Sequence, residues 1–436
     1  MTKKTIGLFT ACSIVIANMI GTGVFTSLGF QCMGIQSIFG LLFLWLVGGI
    51  IALCGALSYS ELASAMPKSG GEYHYLSKIY HPALGFMSGF ISLIVGFAAP
   101  VALASMALGT YSSSCYSIGH PKLIACIVIL ILSIIHSTDL RTASKFQNVF
   151  TILKISLILL FIIAGFQIYS AQDIHILPSN SIIPSASWKS IFSPSFAISL
   201  IYVSYAYSGW NASTYLAEEI DQPQKNLPIS IVTGTLIVSV LYLFLNYIFL
   251  YTVPISKLQG QLEIGYISAE AILGPSGGRI MAGMISLLLV SSISSMIFAG
   301  PRITQAMGED ISIFSFIGKK NKKGIPVYAI FLQSGIAILL LVSSTFEKVL
   351  TYVGFLLTIF TILTVAGVYI LRIKKPELRR PYKTWGYPIV PAIFIGLNIW
   401  ILIYVVISRP WETVAGLGTM ILGLALYWFE KSRKKQ

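Results

Sequence analysis

The chain has 436 residues, of which 56% are hydrophobic and only 10% charged, and its mean hydropathy is +0.82. Soluble domains carry about 25% charged residues, so this composition excludes a soluble protein and indicates that lipid surrounds most of the surface. The formal net charge of +14 is compatible with nucleic-acid binding. However, the basic residues lie in short segments between apolar runs, where they act as orientation signals, and no nucleic-acid partner is expected.

Apolar segments long enough to cross a hydrocarbon core of about 30 Å recur along the whole chain. The twelve predicted spans are residues 7–29, 38–62, 84–112, 122–138, 146–170, 191–215, 228–252, 280–301, 325–345, 348–371, 388–408 and 412–429. The segment 255–279 is mixed in polarity and is expected to form a short helix over the extracellular face. We therefore predict an all-α polytopic membrane protein of about twelve helices, in which residues 1–436 form a single integral membrane domain.

The positions of lysine and arginine predict the orientation. With a cytoplasmic N-terminus, the even-numbered loops and the C-terminal tail face the cytoplasm. Apart from Lys154, only six of the 29 lysines and arginines fall on the other side: Lys122, Lys189, Lys257, Arg279, Lys348 and Arg409. The positive-inside rule then predicts a multi-pass protein of the cytoplasmic membrane with both termini in the cytoplasm.

Residues that could carry metal or acid–base chemistry show no pattern of that kind. The five cysteines include no CxxC pair and the five histidines show no ligand spacing, which argues against a disulfide framework or a metal site. No nucleophile–base pair and no phosphate-binding loop is visible. We expect no metal, no cofactor and no enzymatic activity.

The first predicted span is interrupted by the sequence Ile20-Gly21-Thr22-Gly23-Val24-Phe25. Each glycine weakens a helix by roughly 1 kcal/mol relative to alanine, so the backbone can leave helical geometry here. Free backbone groups at membrane depth are tolerated where they meet a ligand or a water-filled cavity, and an added Cβ at Gly23 is then expected to fill that site. The alternative is a helix–helix contact through small residues.

The sixth predicted span carries a second interruption, Tyr205-Ala206-Tyr207-Ser208-Gly209-Trp210-Asn211. Paired glycine-interrupted helices in two halves of a chain point to the binding site of an inverted-repeat transporter. A half-helix that begins after such a break directs its positive end at the midplane, which suits a carboxylate. Unwound carbonyls accept hydrogen bonds from an ammonium group. Together these features predict recognition of a zwitterionic α-amino acid.

With these motifs the chain resembles the amino acid–polyamine–organocation superfamily, and within it bacterial permeases related to the L-type amino acid transporters. Further matching motifs are Glu218-Glu219-Ile220-Asp221-Gln222-Pro223, Asn226-Leu227-Pro228, Gly300-Pro301-Arg302 and Ala306-Met307-Gly308-Glu309-Asp310. The resemblance implies a five-plus-five inverted repeat with helices one and six broken. Its units would be residues 7–170 and 191–371, followed by two further helices in 388–429.

The resemblance also implies roles for individual residues. The backbone of Gly21, Thr22 and Gly23 would bind the substrate carboxylate, and the carbonyls of Ile20, Tyr205 and Ser208 would accept from its ammonium. Tyr205 would close over the substrate, and Gly209 and Trp210 belong to the same break. Plain packing is the alternative for both aromatic residues.

Lys154 is the one basic residue well inside a predicted span. An ionisable group in the membrane indicates function, and the alternative is snorkelling of its long stem to the interface. The resemblance implies that its ammonium replaces a sodium ion and braces span one against span eight near Ser292 and Ser295. The same group could also exchange a proton during transport.

The sequence therefore predicts a sodium-independent secondary transporter of amino acids that works by alternating access, as proton symport or as exchange. The predicted spans contain no Asp or Glu at the membrane midplane, which favours neutral L-amino acids. The alternatives are a polyamine or basic amino-acid exchanger and, more remotely, an amino-acid-sensing receptor or a channel. Its expected partners are an amino acid, the lipid bilayer and, for symport, protons.

Overall fold

Helices build the part of the chain that the structure describes. The computed structural model describes residues 6–116, 119–138, 143–168, 193–310, 315–321 and 324–433. Within these ranges the one β-bridge joins Ile6 to Ile220. The ends of the fifth and sixth predicted spans, residues 169–170 and 191–192, lie outside the described residues.

The helices follow one another with short connections. They are α1 (Leu8–Met19), α2 (Thr22–Gly34), α3 (Ile38–Ala65), α4 (Glu72–Ile79), α5 (Pro82–Ile91), α6 (Ala99–Tyr116), α7 (Pro121–Thr138), α8 (Ala143–Ile168), α9 (Pro194–Ala206), α10 (Pro223–Thr252), α11 (Ile255–Leu258), α12 (Ile264–Asp310), α13 (Val327–Ser343), α14 (Phe346–Lys374), α15 (Ile389–Ser408) and α16 (Pro410–Arg433). A π-helical segment (Ser92–Ala98) joins α5 to α6, and a 3₁₀ helix (Ala212–Glu219) follows α9.

The predicted spans coincide with the apolar helices of the structure. Among the described residues, ten helical stretches are long and apolar enough to cross a membrane, and two shorter apolar helices, α9 and α13, match the sixth and ninth predicted spans. The prediction of an all-α polytopic membrane protein is confirmed.

The eighth span differs in detail from its prediction. The predicted separate helix of residues 255–279 is α11 together with the start of α12, which continues past a kink at Gly274 (φ 74°) into the span. The apolar part of this helix, Ile264–Thr304, is therefore longer than the predicted 280–301. Glycine tolerates a positive φ, so Gly274 lets the chain bend sharply between the two helical parts of α12.

The central helices pack around the first broken helix. Helix α10 packs against α1 and α3, and α12 packs against α6 and α8. A buried ion pair fixes the end of α3: Arg372 donates to both Glu61 carboxylate oxygens at 2.7 and 2.8 Å, and Arg380 lies 3.3 Å away. Two bonds in parallel make such a pair geometrically specific.

Candidate functional site

A cavity of about 750 Å³ lies between the two helix interruptions. This volume is typical of small-molecule sites, which occupy about 300–1,000 Å³. It is lined by seven of the eight predicted substrate-binding residues: Gly21, Thr22, Gly23, Tyr205, Ser208, Gly209 and Trp210. Ile20 does not line it, and its side chain is buried. The structure thus brings together two sequence motifs that lie far apart in the chain.

The first interruption separates α1 from α2 at two residues. Ile20 (ψ 87°) and Gly21 (φ −129°, ψ −145°) leave helical geometry, and α2 begins at Thr22 without a side-chain cap. The N–H groups of a first helical turn have no intrahelical acceptor. Because Gly21, Thr22 and Gly23 line the cavity, this positive helix end adjoins the cavity and can bind an anion.

The carbonyl end of α1 is satisfied from inside the protein. The Lys154 ammonium donates to the carbonyls of Ile20 (2.9 Å) and Ala17 (3.3 Å), and the Tyr242 hydroxyl donates to the carbonyl of Met19 at 2.6 Å. These are carbonyls that a broken helix would otherwise leave without donors. The Ile20 carbonyl, predicted as an acceptor for a substrate ammonium, therefore already accepts from a protein cation.

Lys154 lies in the interior and connects two spans. Its side chain is 2% exposed, so it does not extend to the membrane interface. The ammonium also donates to Ser292 Oγ of α12 at 2.8 Å, whereas the Ser295 hydroxyl donates to the Ser291 carbonyl. The predicted contact between span one and span eight is thus made through Ser292.

The second interruption is built differently from the first. Helix α9 ends at Ala206, a turn follows, and Gly209 has φ +98°. An ideal Cβ at Gly209 would lie 2.8 Å from the carbonyl carbon of Asn18, so the two breaks touch through a residue that must be glycine. The segment that follows is a 3₁₀ helix with a non-helical Leu216. The half-helix expected after the second break is therefore a short 3₁₀ helix, and the role of its positive end stays a prediction.

The two glycines of the first break have different surroundings. An ideal Cβ at Gly23 would lie 2.4 Å from Cα of Ala206, whereas a Cβ at Gly21 would meet only the Met19 carbonyl at 4.0 Å. That a Cβ at Gly23 fills the carboxylate site stays a prediction, and the structure adds that such a Cβ would press on the α9 backbone. Gly23 permits close helix crossing, and Gly21 leaves open space beside the cavity.

Two aromatic residues of the second break lie in the cavity wall with different contacts. The hydroxyls of Tyr205 and Thr22 hydrogen-bond at 3.3 Å, which joins the second break directly to the first. The Trp210 ring packs edge-on against Tyr59, with ring centroids 4.5 Å apart, and lies 6.5 Å from Phe394. Tyr205 thus has a polar link across the cavity, whereas the contacts of Trp210 are those of a packed core residue.

Among the cavity-lining residues that sequence reasoning did not single out is a buried carboxylate, Glu72. Its side chain is 4% exposed. The Tyr59 hydroxyl (2.7 Å) and the Asn211 amide (2.9 Å) donate to its Oε1, and the Tyr215 hydroxyl (3.1 Å) donates to its Oε2. In the sequence Glu72 follows Gly70-Gly71 in a polar loop, where an ordinary solvated carboxylate is the expected interpretation.

The cavity reaches the surface at Lys68 and Lys320, two exposed loop residues of its lining, and Arg302 of α12 also lines it. On the opposite side α2 is tied to the segment after α10, because Gly260 N–H donates to the Gly29 carbonyl at 2.9 Å. Thr22 and Gly23 are the residues of α2 that line the cavity, so the cavity does not extend along the rest of this helix.

These features define a class: a polytopic membrane protein whose cavity is built from two interrupted helices. Residues 6–425 match the family model described as amino acid permease, and the chain belongs to the amino acid permease family. It is a transporter and not an enzyme.

Characterised relatives cover nearly the whole chain. "Large neutral amino acids transporter small subunit 2" of Mus musculus is 29% identical over 99% of this chain and 82% of the relative. "Asc-type amino acid transporter 1" of Mus musculus is 27% identical over 99% and 83%. "b(0,+)-type amino acid transporter 1" of Homo sapiens is 26% identical over 98% and 88%.

Proposed function

We propose that this permease is a sodium-independent secondary transporter of neutral L-amino acids, working by alternating access as proton symport or amino-acid exchange. The observation that carries the proposal is the uncapped start of α2 at Gly21–Gly23, which adjoins the cavity. A substrate carboxylate would bind these N–H groups, and its ammonium would bind the carbonyls of Tyr205 and Ser208. The Ile20 carbonyl, which accepts from Lys154 and does not line the cavity in this conformation, would have to turn its second lone pair toward the substrate to take part.

The positions of the two breaks support a five-plus-five inverted repeat. The first break lies in the opening span of residues 7–170 and the second in the opening span of 191–371, with residues 388–429 adding two helices. Transporters of this architecture bind substrate at discontinuous helices near the midplane. Alternating access would then move the broken helices against the remaining bundle.

The basic mouth of the cavity supports an orientation. Loops rich in lysine and arginine remain in the cytoplasm, so the side with Lys68, Arg302 and Lys320 would face inward in the cytoplasmic membrane. Both termini would lie on the same side. The described conformation would then be the inward-facing one, closed by the Gly260–Gly29 bond toward the exterior.

The cavity wall beside the breaks supports neutral substrates. The neighbouring helices contribute apolar and hydroxyl-bearing residues to this wall, among them Ile51, Ala52, Leu357 and Thr358. One relative is named for large neutral amino acids. The Glu72 carboxylate favours the alternative, a polyamine or basic amino-acid exchanger, because it lines the cavity and could bind a cation.

Transport by the purified protein in proteoliposomes tests the proposal. Radiolabelled neutral and basic amino acids and polyamines are offered with and without a pH gradient, and with sodium replaced by choline. We expect saturable counterflow of neutral amino acids that is unchanged by choline, because the Lys154 ammonium takes the place of sodium. Strict sodium dependence would contradict this role, preferential uptake of polyamines would favour the alternative, and conductance without counterflow would indicate a channel.

A further inference from the structure

The Glu72 carboxylate is buried where it has no cation to balance it. Among the described residues no lysine, arginine or histidine forms an ion pair with it; the ion pairs there involve Glu61, Glu219 and Glu347. An isolated buried carboxylate costs several kcal/mol and tends to take up a proton. Burial raises the pKa of Glu72, and the hydrogen bonds from Tyr59, Tyr215 and Asn211 lower it by less.

The side chains that hydrogen-bond to Glu72 are neutral. Tyr59 comes from α3, and Asn211 and Tyr215 come from the segment after the second break. Its own helix contributes Tyr75 and His74, whereas Lys78 at the end of that helix and Lys68 in the preceding loop are exposed. Burial, helped by Lys68 and Lys78, lowers the pKa of His74 to about 4, so this neighbour carries no charge near neutral pH.

The other elements packed near Glu72 add no charge that pairs with it. Helix α5 has no titratable side chain, and the part of α14 packed here contributes Thr364. Arg302 lies at the cavity mouth, where it pairs with Glu219 at 3.7 Å. The N-terminal position of Glu72 in α4 favours its charged form.

The donors belong to two different bodies of the protein. Tyr59 lies in the long helix α3, whereas Asn211 ends the turn that contains Gly209, and Tyr215 lies in the 3₁₀ helix Ala212–Glu219 that follows. The segment 211–219 therefore continues directly from the second break. Because the Glu72 carboxylate accepts hydrogen bonds from both parts, it fixes the segment 211–219 against α3.

Resting on the function proposed above, we propose that Glu72 is a proton-binding site whose charge controls how firmly the inner half of the second broken helix is held. Glu72 acts as a positioning residue, because it contacts the segment 211–219, here called the gate segment, and not the substrate.

The hydrogen-bond pattern indicates which oxygen takes the proton. Oε1 accepts from Tyr59 and from the Asn211 amide, which has only donor hydrogens on its nitrogen, whereas Oε2 accepts from the Tyr215 hydroxyl alone. A hydroxyl can donate or accept. The Tyr215 hydroxyl, which lines the cavity, passes its proton to Oε2 and takes one from a hydronium ion of the solvent, which becomes water. The new Oε2–H then donates to the Tyr215 oxygen.

Protonation weakens the hold on the gate without breaking the cluster. Hydrogen bonds to an ionised group are roughly twice as strong as bonds between neutral groups, so the bonds from Asn211 and Tyr59 weaken together. The raised pKa means that this happens at a higher pH than for an exposed glutamate. Above that pH the segment 211–219 is held firmly, and below it the same hydrogen bonds hold it less firmly.

Amino-acid exchange at equal pH on both sides of the liposome membrane, between about pH 5 and 8, tests the proposal. The native rate is expected to rise as pH falls. Glu72→Gln, which keeps the shape of the neutral carboxyl, is expected to lose this pH dependence and to exceed the native rate at high pH by roughly threefold or more. Glu377→Gln removes an exposed carboxylate and is expected to keep the native profile.

Two measurements remain informative if Glu72→Gln does not fold or no exchange is seen. Tyr215→Phe removes a bond that favours the ionised form, so the infrared band of the protonated carboxyl should persist to higher pH than in the native protein. The same band should be missing in Glu72→Gln and present in Glu377→Gln. A native pH profile in Glu72→Gln, or an unmoved band in Tyr215→Phe, overturns the proton site and leaves the transport function standing. Absence of exchange by the native protein overturns the transport function, and the infrared band still decides on Glu72.

Discussion

The two helix interruptions are held by buried charges of opposite sign. At the first, the Lys154 ammonium donates to the carbonyls of Ala17 and Ile20 at the end of α1. At the second, the Glu72 carboxylate accepts from Asn211 and Tyr215, side chains of the segment that follows α9. The carbonyls at the end of α1 need a cation as their donor. The Asn211 and Tyr215 side chains after the second break are donors, which suit an anion.

The two breaks also differ in the helix that follows each of them. Helix α2 starts with free N–H groups beside the cavity, whereas the 3₁₀ helix after the second break lacks an aligned turn. Fixed backbone dipoles at a helix start favour an anion. Under the proposed function, this difference would assign the substrate carboxylate to the first break and carbonyl acceptors to the second.

The largest expected effect comes from removing the cation of the first break. Lys154→Met keeps the apolar stem and leaves the Ala17 and Ile20 carbonyls without their donor, at about 1–3 kcal/mol each. We expect the counterflow rate to fall about a hundredfold or more and the melting temperature of the purified protein to fall. Lys122→Met, at an exposed basic residue, serves as the control. Transport by Lys154→Met at the native rate would show that the Lys154 ammonium is not needed at the first break.

An intermediate effect separates the binding glycine from the packing glycine. Gly21→Ala places a methyl group beside the cavity, so affinity for a radiolabelled neutral amino acid should fall about tenfold, or 1.4 kcal/mol, with little change in thermal stability. Gly23→Ala forces α2 away from Ala206 and should lower stability by about 1–3 kcal/mol, as overpacking does. Scintillation proximity binding and thermal unfolding measure the two quantities. Equal loss of stability in both variants would show that the two glycines do not differ as described.

The smallest effect tests the link between the two breaks. Tyr205→Phe removes the hydroxyl that bonds Thr22, and a neutral hydrogen bond contributes about 0.5–1.5 kcal/mol. Exchange should slow by about twofold to tenfold, while equilibrium binding changes less. Tyr352→Phe, which removes a hydroxyl bonded to Thr419 in a helix pair away from the cavity, is the matched control. A loss of binding as large as the loss of rate would assign Tyr205 to ground-state recognition and not to closure.

The sequence by itself determined the spans, both interruptions and the buried lysine. Each is a local property: an apolar run near 20 residues must cross the membrane as a helix, and glycines within it mark where the backbone leaves that helix. Lys154 was identifiable because a charge inside such a run has few solvated positions available.

Only the tertiary structure decided what each group touches. Gly23 became a packing residue because the α9 backbone crosses it, and Glu72 became a buried acceptor because α3 and the 3₁₀ helix converge on it. Its partner Asn211 is 139 residues away in the chain, and the Lys154–Ile20 bond spans 134. Hydropathy and helix propensity act over a few turns, whereas the partner of a buried polar group depends on which helices pack side by side.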